Sequence, residues 1–311
     1  MEYSNQFLTG DASVVLKQLP NESVDLTVTS PPYDLMRQYK GEVDGKKIFK
    51  GGYSFPFEEI ADELYRVTKE GGVVMWNVAD QVIDGGESGT SFRMALYFQS
   101  IGFLIYDTML YGKNSPNFPE MGRYGQVFEY CFILSKGKPK TFNQIRDKKN
   151  KWAGHSNFGK PSSRQADGSL KQHESFTVAD YGARYNIWYI ANGKGYTTKD
   201  EIAYQHPALM PEELAEGMIL SWTKPGDIVL DPMSGGGTTA KMAYINNRNY
   251  IGIDLQDEYN DIAKERIKLA TPYTEDNPNP LDKYIITREE LMEKRRQTRE
   301  ANKKKKAEQN G

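Results

Sequence analysis

Short apolar runs of strand length alternate along this chain with segments whose apolar residues recur at helical spacing. Gln6-Phe7-Leu8 reads as a strand. The turn Gly10-Asp11 follows, and Ala12 to Leu19 predicts a helix with Val15, Leu16 and Leu19 on one side. Ser23 to Thr29 is β-rich and runs into Pro31-Pro32, where a strand cannot readily continue and the chain must open into a stiff loop. Phe57 to Val67 predicts an amphipathic helix ended by Gly71-Gly72, and Val73 to Val78 a buried strand. Ser91 to Ser100 has helical spacing. Phe103 to Tyr111 and Phe128 to Leu134 read as strands whose hairpin-like alternation suggests antiparallel edges.

From Gly137 to about Gly182 this order breaks down into Lys, Asn, Ser, Gly and Gln, the pattern of an inserted segment. Asn186 to Ala191 is a short apolar run. Pro211 to Trp222 predicts a helix with Glu212-Glu213 in its first turn. Then come a strand at Ile228-Val229-Leu230, a glycine-rich loop, a helix from Thr239 to Asn246, a strand over Tyr250 to Asp254 and a helix over Tyr259 to Leu269. Such alternation argues for an α/β fold, a doubly wound and mostly parallel sheet covered on both faces. The expected divisions are 1–135, an inserted segment 136–185, 186–270, and a linker with a charged tail over 271–311.

Composition narrows the class. A chain of 311 residues can bury a substantial core. It has no apolar run long enough to span a membrane, and its start lacks the pattern of a secretory signal. Its one cysteine, Cys131, excludes an internal disulfide or a Cys-rich metal cluster, and a cytoplasmic protein is expected. Cys131 lies within the run Tyr130 to Leu134 and reads as a core residue. The net charge of −2 hides two basic stretches: ten Lys or Arg between 136 and 171 against Asp147 and Asp167, and nine between 288 and 306 against four Glu. A near-neutral protein so patterned can bind a polyanion locally.

Two motifs carry candidate chemistry. Asp231-Pro232-Met233-Ser234-Gly235-Gly236-Gly237-Thr238-Thr239 joins a strand to a helix, and its glycines permit a tight turn and close approach to a ligand. It has neither the Gly-x-Gly-x-x-Gly spacing of a dinucleotide site nor the Gly-Lys-Ser/Thr of a phosphate loop, which disfavours pyrophosphate. Asp231 suits the cationic part of a sulfonium amino acid. Asp254, ending the next strand, suits ribose hydroxyls. An ordinary Gly-rich helix start is the plainer alternative.

The second motif is Ser30-Pro31-Pro32-Tyr33. An exocyclic amine on a base is a poor nucleophile because its lone pair is delocalised into the ring. Ser30 Oγ and the Pro31 carbonyl supply acceptors that draw the nitrogen toward tetrahedral geometry, the prolines fix that carbonyl, and Tyr33 can stack on a flipped base. By itself a proline-stiffened turn reads the same. His155, His173 and His206 lack the spacing of a zinc deaminase site, and no metal is expected.

With these two motifs in this order, the chain resembles the DNA amino-methyltransferases acting on cytosine N4 or adenine N6, in their circularly permuted beta arrangement, over roughly residues 5 to 270. The resemblance implies a seven-stranded methyltransferase sheet, S-adenosyl-L-methionine as cofactor and duplex DNA as partner. It implies catalytic roles for Ser30, Pro31, Pro32 and Tyr33. It also implies cofactor contacts from Asp11, Ala12, His206, Asp231, Pro232, Ser234, Gly235, Gly237, Thr238, Thr239 and Asp254. Met233 departs from the family's usual aromatic or bulky apolar residue, and methionine fills similar space. A serine-first tetrapeptide is more often associated with cytosine N4, and adenine N6 uses the same geometry. Asp34 or water would take the released proton. RNA or protein-amide methylation, and an inactive DNA-binding module, are the other readings. The insert 136–185 is expected to recognise the DNA target, between a catalytic half (1–135) and a cofactor-binding half (186–270), and Lys136, Lys138, Lys140, Arg146, Lys148, Lys149 and Lys151 are the candidate DNA contacts, clamping phosphates. Nothing in the sequence sets the oligomeric state or a restriction partner.

Overall fold

The computed structural model describes residues 4–32, 42–43, 46–47, 55–114, 122–156, 162–173 and 177–309. They divide into two compact units, residues 1–143 with 186–279, and residues 144–185 with 280–311.

The first unit is built on an eight-stranded sheet. Its strands are β1 (Gln6–Thr9), β2 (Val24–Thr29), β3 (Thr68–Val78), β4 (Leu104–Gly112), β5 (Phe128–Ser135), β6 (Ile187–Tyr189), β7 (Ile228–Asp231) and β8 (Asn249–Asp254), in the order β1-β8-β7-β2-β3-β5-β4-β6. All neighbours pair in parallel except β5, which is antiparallel to β3 and β4. The mostly parallel α/β sheet matches the expectation, with one strand more than the seven expected. The addition is β6, three residues on the outer edge of β4. The antiparallel strand is interior, not an edge.

Helices cover both faces. On one side α1 (Ala12–Val15), α2 (Phe57–Val67) and α3 (Thr90–Ser100) close over a core that includes Leu16, Leu19, Ile60, Leu64, Phe98, Phe103 and Trp76. On the other lie α4 (Glu212–Trp222), α5 (Thr238–Ile245) and α6 (Asp257–Leu269), packed side by side against the central strands. The helix α2 stops at Val67, not at the glycines. Thr68 Oγ1 donates to the Leu64 carbonyl at 2.6 Å, and β3 begins there with Gly71 and Gly72 inside it. A Cβ at Gly72 would come within 3.0 Å of the Asp25 carbonyl, so only glycine lets β2 approach. Cys131 is buried, and burial pushes its thiol well above the usual range.

The second unit is assembled from two stretches. Gln144–Ile145 pairs antiparallel with Ile285–Ile286, and Lys148–Lys149 with Tyr181–Gly182. Ser162–Arg164 and Leu170–Gln172 form a separate ribbon. The segment expected as a linker and tail contributes the strand 285–286 and α7 (Arg288–Gln309) to this unit. Among the described residues no helix is long and apolar enough to cross a membrane.

Candidate active site

Parallel strands deliver their carboxyl ends to one edge of the sheet, where open α/β folds bind ligands. Along that edge Asp11 follows β1, Asp254 ends β8, Asp231 ends β7 and Ser30-Pro31-Pro32 follows β2. Adjacent strands lie about 4.8 Å apart. Three carboxylates therefore span three neighbouring strands, and the proline loop stands on the fourth.

Two hydrogen bonds stitch the motifs together although some two hundred residues separate them. Thr29 Oγ1 donates to Asp231 Oδ1 at 2.7 Å, and Thr239 Oγ1 donates to the Val28 carbonyl at 3.0 Å. The last residues of β2 are thus tied both to the end of β7 and to the first turn of α5. Thr27, Thr29, Asp231 and Thr239 are all buried. Asp231 Oδ1 also accepts from the Met233 amide at 3.1 Å. Burial pushes the Asp231 carboxyl up to about 6, against the hydrogen bonds from Thr29 and Met233.

The glycine loop is shaped by what packs on it. Gly235 and Gly237 have φ of +49° and +75°. A Cβ on Gly235 would lie 2.8 Å from the His206 ring, and one on Gly237 would lie 2.4 Å from Ala263 Cβ in α6. The loop amide of Gly235 donates to Asp254 Oδ2 at 2.9 Å, and Gln256 N to Oδ1 at 2.9 Å. Burial raises the Asp254 carboxyl, outweighing these amide donors. A carboxylate offers about four acceptor sites, so these amides leave capacity for a ligand hydroxyl. Ser234 Oγ is buried without a partner, turned toward Gly252.

Other expected contacts take different positions. Asp11 caps α1, its Oδ1 accepting from Ser13 N at 2.8 Å and Ser13 Oγ at 2.7 Å. The Ala12 side chain is buried in the α1–α2 core. His206 is buried, its Nδ1 against the Ala208 carbonyl and its ring edge-on to Tyr259 with centroids 4.3 Å apart. It shapes the loop through Gly235. Pro232, Gly236 and Thr238 are buried in the loop, Pro31 is buried, and Ser30 and Pro32 are half-buried. Tyr33 and Asp34 lie outside the described residues.

The structure does not bring Lys136, Lys138 and Lys140 to this edge. The strand β5 runs against its neighbours, so the chain leaves it at the amino end of the sheet, where the Gly71 amide donates to the Lys136 carbonyl and the Lys140 amide to the Gly71 carbonyl. Lys136 Nζ sits 3.3 Å from Glu22 Oε1 and 4.8 Å over the Tyr65 ring. The six residues of β2 alone separate the two edges by about 17 Å. Arg146, Lys148, Lys149 and Lys151 belong to the second unit. There Arg146 bonds Gln144 at 2.9 Å, and Lys148 lies over the Tyr185 ring at 3.9 Å. Lys149 and Lys151 are exposed.

Sequence reading missed two features. Behind the glycine loop, Arg266 of α6 is wholly inaccessible. Its Nη1 donates to the Gly236 carbonyl at 2.5 Å and to Thr238 Oγ1 at 3.1 Å, while Nε meets Asp200 at 2.9 Å and Nη2 meets Glu212 at 2.7 Å. Lys241 completes the set, 2.7 Å from Asp200 and 2.8 Å from Glu212. Just past β3, Asp80 accepts from Ser88 Oγ at 3.1 Å and from the amide and hydroxyl of Ser91, anchoring residues 87–89 and the first turn of α3 beside the proline loop. An acid following a buried strand was the available signal for Asp80. Arg266 gave none. Among the described residues, no cluster of His, Cys, Asp and Glu could hold a metal ion.

Residues 24–265 match the model of the DNA methylase family that covers N6 and N4 enzymes. The chain is 54% identical over 247 residues to the orphan methyltransferase M.BamHII of Bacillus amyloliquefaciens, covering 79% of this chain and 89% of that one. It is 28% identical over 273 residues to the DNA adenine methyltransferase YhdJ of Escherichia coli K12, covering 85% and 83%. Its fold is similar to that of the cytosine-N4-specific PvuII DNA methyltransferase, with a TM-score of 0.57 at 20% identity over 84% of this chain and 85% of that one. It is similar, too, to a putative DNA modification methylase of Thermus thermophilus solved with S-adenosyl-L-methionine, with a TM-score of 0.54 at 22% identity over 85% and 93%.

Proposed function

The chain belongs to the N6/N4 DNA methylase family, and from that premise we propose that it transfers a methyl group from S-adenosyl-L-methionine to the N4 amine of a cytosine flipped out of duplex DNA. The observation that carries this reading is the pair of stitches joining the two motifs, Thr29 to Asp231 and Thr239 to Val28. They hold the acceptor loop and the glycine loop on adjacent strands, in fixed register. Serine at the head of Ser30-Pro31-Pro32 favours cytosine over adenine.

The residues present suit this ligand. Asp254 offers acceptor lone pairs at the end of β8, the glycine loop leaves main chain close to the ligand's path, and Asp231 presents a buried carboxylate to a cation. Asp11, beyond β1, stands at the adenine end. When bound, the cofactor supplies an electrophilic methyl on a positively charged sulfur. Ser30 Oγ and the Pro31 carbonyl accept the two N–H bonds of the target amine and localise its lone pair for in-line attack. The amine proton becomes acidic as the N–C bond forms and passes to solvent. A cytoplasmic enzyme, with its one buried thiol and a DNA substrate, follows from the same reading.

The test is direct. Purified protein with labelled cofactor and mixed-sequence duplex DNA is expected to give N4-methylcytosine among the digested nucleosides, read by mass spectrometry. N6-methyladenine would keep the mechanism and change the base. Cofactor binding with no methylated nucleoside would sink the reading.

Asp231 gives a second expectation. An acid whose folded pKa is raised holds its proton more tightly folded than unfolded, so its ionisation lowers stability as pH rises from about 4 to about 6. A cation bound beside it favours the ionised form. Cofactor affinity is therefore expected to rise with pH and level off above about 6. Asp231→Asn should abolish that slope and weaken binding at neutral pH by roughly tenfold. Titration calorimetry between acid and neutral pH reads both; a flat wild-type profile would separate Asp231 from the cation.

A further inference from the structure

The ribbon of the second unit buries neither of its faces. Ser162 pairs with Gln172, Ser163 with Lys171 and Arg164 with Leu170. Ser162, Arg164, Leu170, Lys171 and Gln172 are all exposed, Leu170 at 63%. Two strands with no covered face are marginal in water, so local bonds must set this shape. Asp167 Oδ1 accepts from the amide and hydroxyl of Ser169 at 2.9 and 2.7 Å, Gly168 turns at φ +83°, and the Gln165 amide donates to the Ser169 carbonyl at 2.8 Å.

Side chains alternate between faces, and the two faces differ. On one, Ser163 Oγ meets His173 Nε2 at 2.8 Å and accepts from Gln165 Nε2 at 3.2 Å, so the polar groups bond one another, with Lys171 beside them. The other face carries Ser162, Arg164, Leu170 and Gln172. Asp167, the acid of the turn, is engaged by Ser169, whose hydrogen bonds hold its carboxyl below the usual range.

Resting on the DNA reading above, we propose that the 162–173 ribbon enters the major groove of the substrate duplex and reads base edges with the face of Arg164 and Gln172. The major groove is about 12 Å wide and admits a two-stranded ribbon. Arginine pairs with the guanine edge, glutamine with the adenine edge, and an exposed apolar side chain such as Leu170 meets a thymine methyl. A ribbon docking on protein would present an apolar stripe; here Leu170 stands alone. A phosphate clamp would need charge on both strands of the reading face, where Arg164 is the one cation. Lys171, on the other face, is placed for a groove wall.

Random-sequence duplex DNA is methylated by the wild type, Arg164→Ala, Gln172→Ala, the double variant and Lys171→Ala, and the sequence around each methylated base is read by single-molecule sequencing. The wild type is expected to show one motif. Arg164→Ala and Gln172→Ala should each relax one base pair of it, with discrimination falling about 10- to 100-fold, while cofactor affinity and melting temperature stay unchanged. Lys171→Ala should slow all sites alike. A double variant with the wild-type motif and discrimination overturns the ribbon's role. A wild type that methylates no duplex DNA overturns the underlying reading, and the ribbon's role falls with it.

Discussion

Arg266→Met should lower the free energy of unfolding by about 3 to 5 kcal/mol, measured by urea denaturation. Arg266 is wholly inaccessible and divides its donors between two carboxylates, a carbonyl and a hydroxyl. In the wild type the set is balanced, Arg266 and Lys241 against Asp200 and Glu212. Methionine fills the volume but leaves Lys241 as the one cation of the set against both acids, and strips the Gly236 carbonyl of the Arg266 donor. Burial would raise the Asp200 carboxyl, yet hydrogen bonds and charge from Lys241 and Arg266 outweigh it and hold the group below its ordinary range. That contribution is complete above the unfolded pKa, about 4, and is lost as pH falls through the depressed value. The variant has less of it to lose, so its stability should fall less steeply with acid than that of the wild type. Equal acid slopes in the two proteins would mean that Arg266 does not act on Asp200.

Gly237→Ala is expected to be the most damaging change of a single atom group in the glycine loop, at about 2 to 5 kcal/mol of stability and, on the proposed reading, at least tenfold in cofactor affinity. Two separable effects add. Alanine at φ +75° is strained wherever it stands, and here its Cβ would also lie 2.4 Å from Ala263 Cβ and 2.9 Å from Ala263 Cα. The α6 backbone cannot swing aside as a flexible side chain does, so α5 and α6 must part, and the loop ahead of α5 moves with them. Gly226→Ala separates the terms. Its φ is +88° with no neighbour within 4 Å of the added carbon, so strain of about 1 kcal/mol is all it should show. Equal losses in the two variants, by the same denaturation measurement, would remove the clash from the account.

What the sequence revealed followed the range of its signals. Val73 to Val78 was legible because a strand buried on both faces is apolar at nearly every position, and Val24 to Thr29 because apolar side chains alternate there with polar ones at a period of two and most are β-branched. The two motifs were legible because each is contiguous and lies at a strand end, where open sheets keep their sites. Gly71-Gly72 was misread as a helix stop, since glycine marks close backbone approach as readily as a cap. Ile187–Tyr189 was too short to declare itself, and pairing with β4 makes it a strand. The charged side chains show the limit most clearly. Arg266 lies 54 and 66 residues from the acids that hold it and looks like part of a solvated helix face. The run from Lys136 to Lys151 looks like one basic patch, yet its first three lysines continue β5 to the far edge of the sheet. Charge density along a chain does not record which way the preceding strand runs.

The second unit is drawn from two places in the chain, and strand pairing between 144–145 and 285–286 joins them. If the second unit reads the duplex as proposed, retargeting this protein by exchanging that unit with a relative is a two-piece graft. The inner stretch transplanted by itself would arrive without its partner strand, and a chimera ending at residue 279 would leave Gln144–Ile145 with an unpaired edge. A module spliced in two pieces is hard to shuffle by one crossover, and its two halves should travel together when such genes recombine.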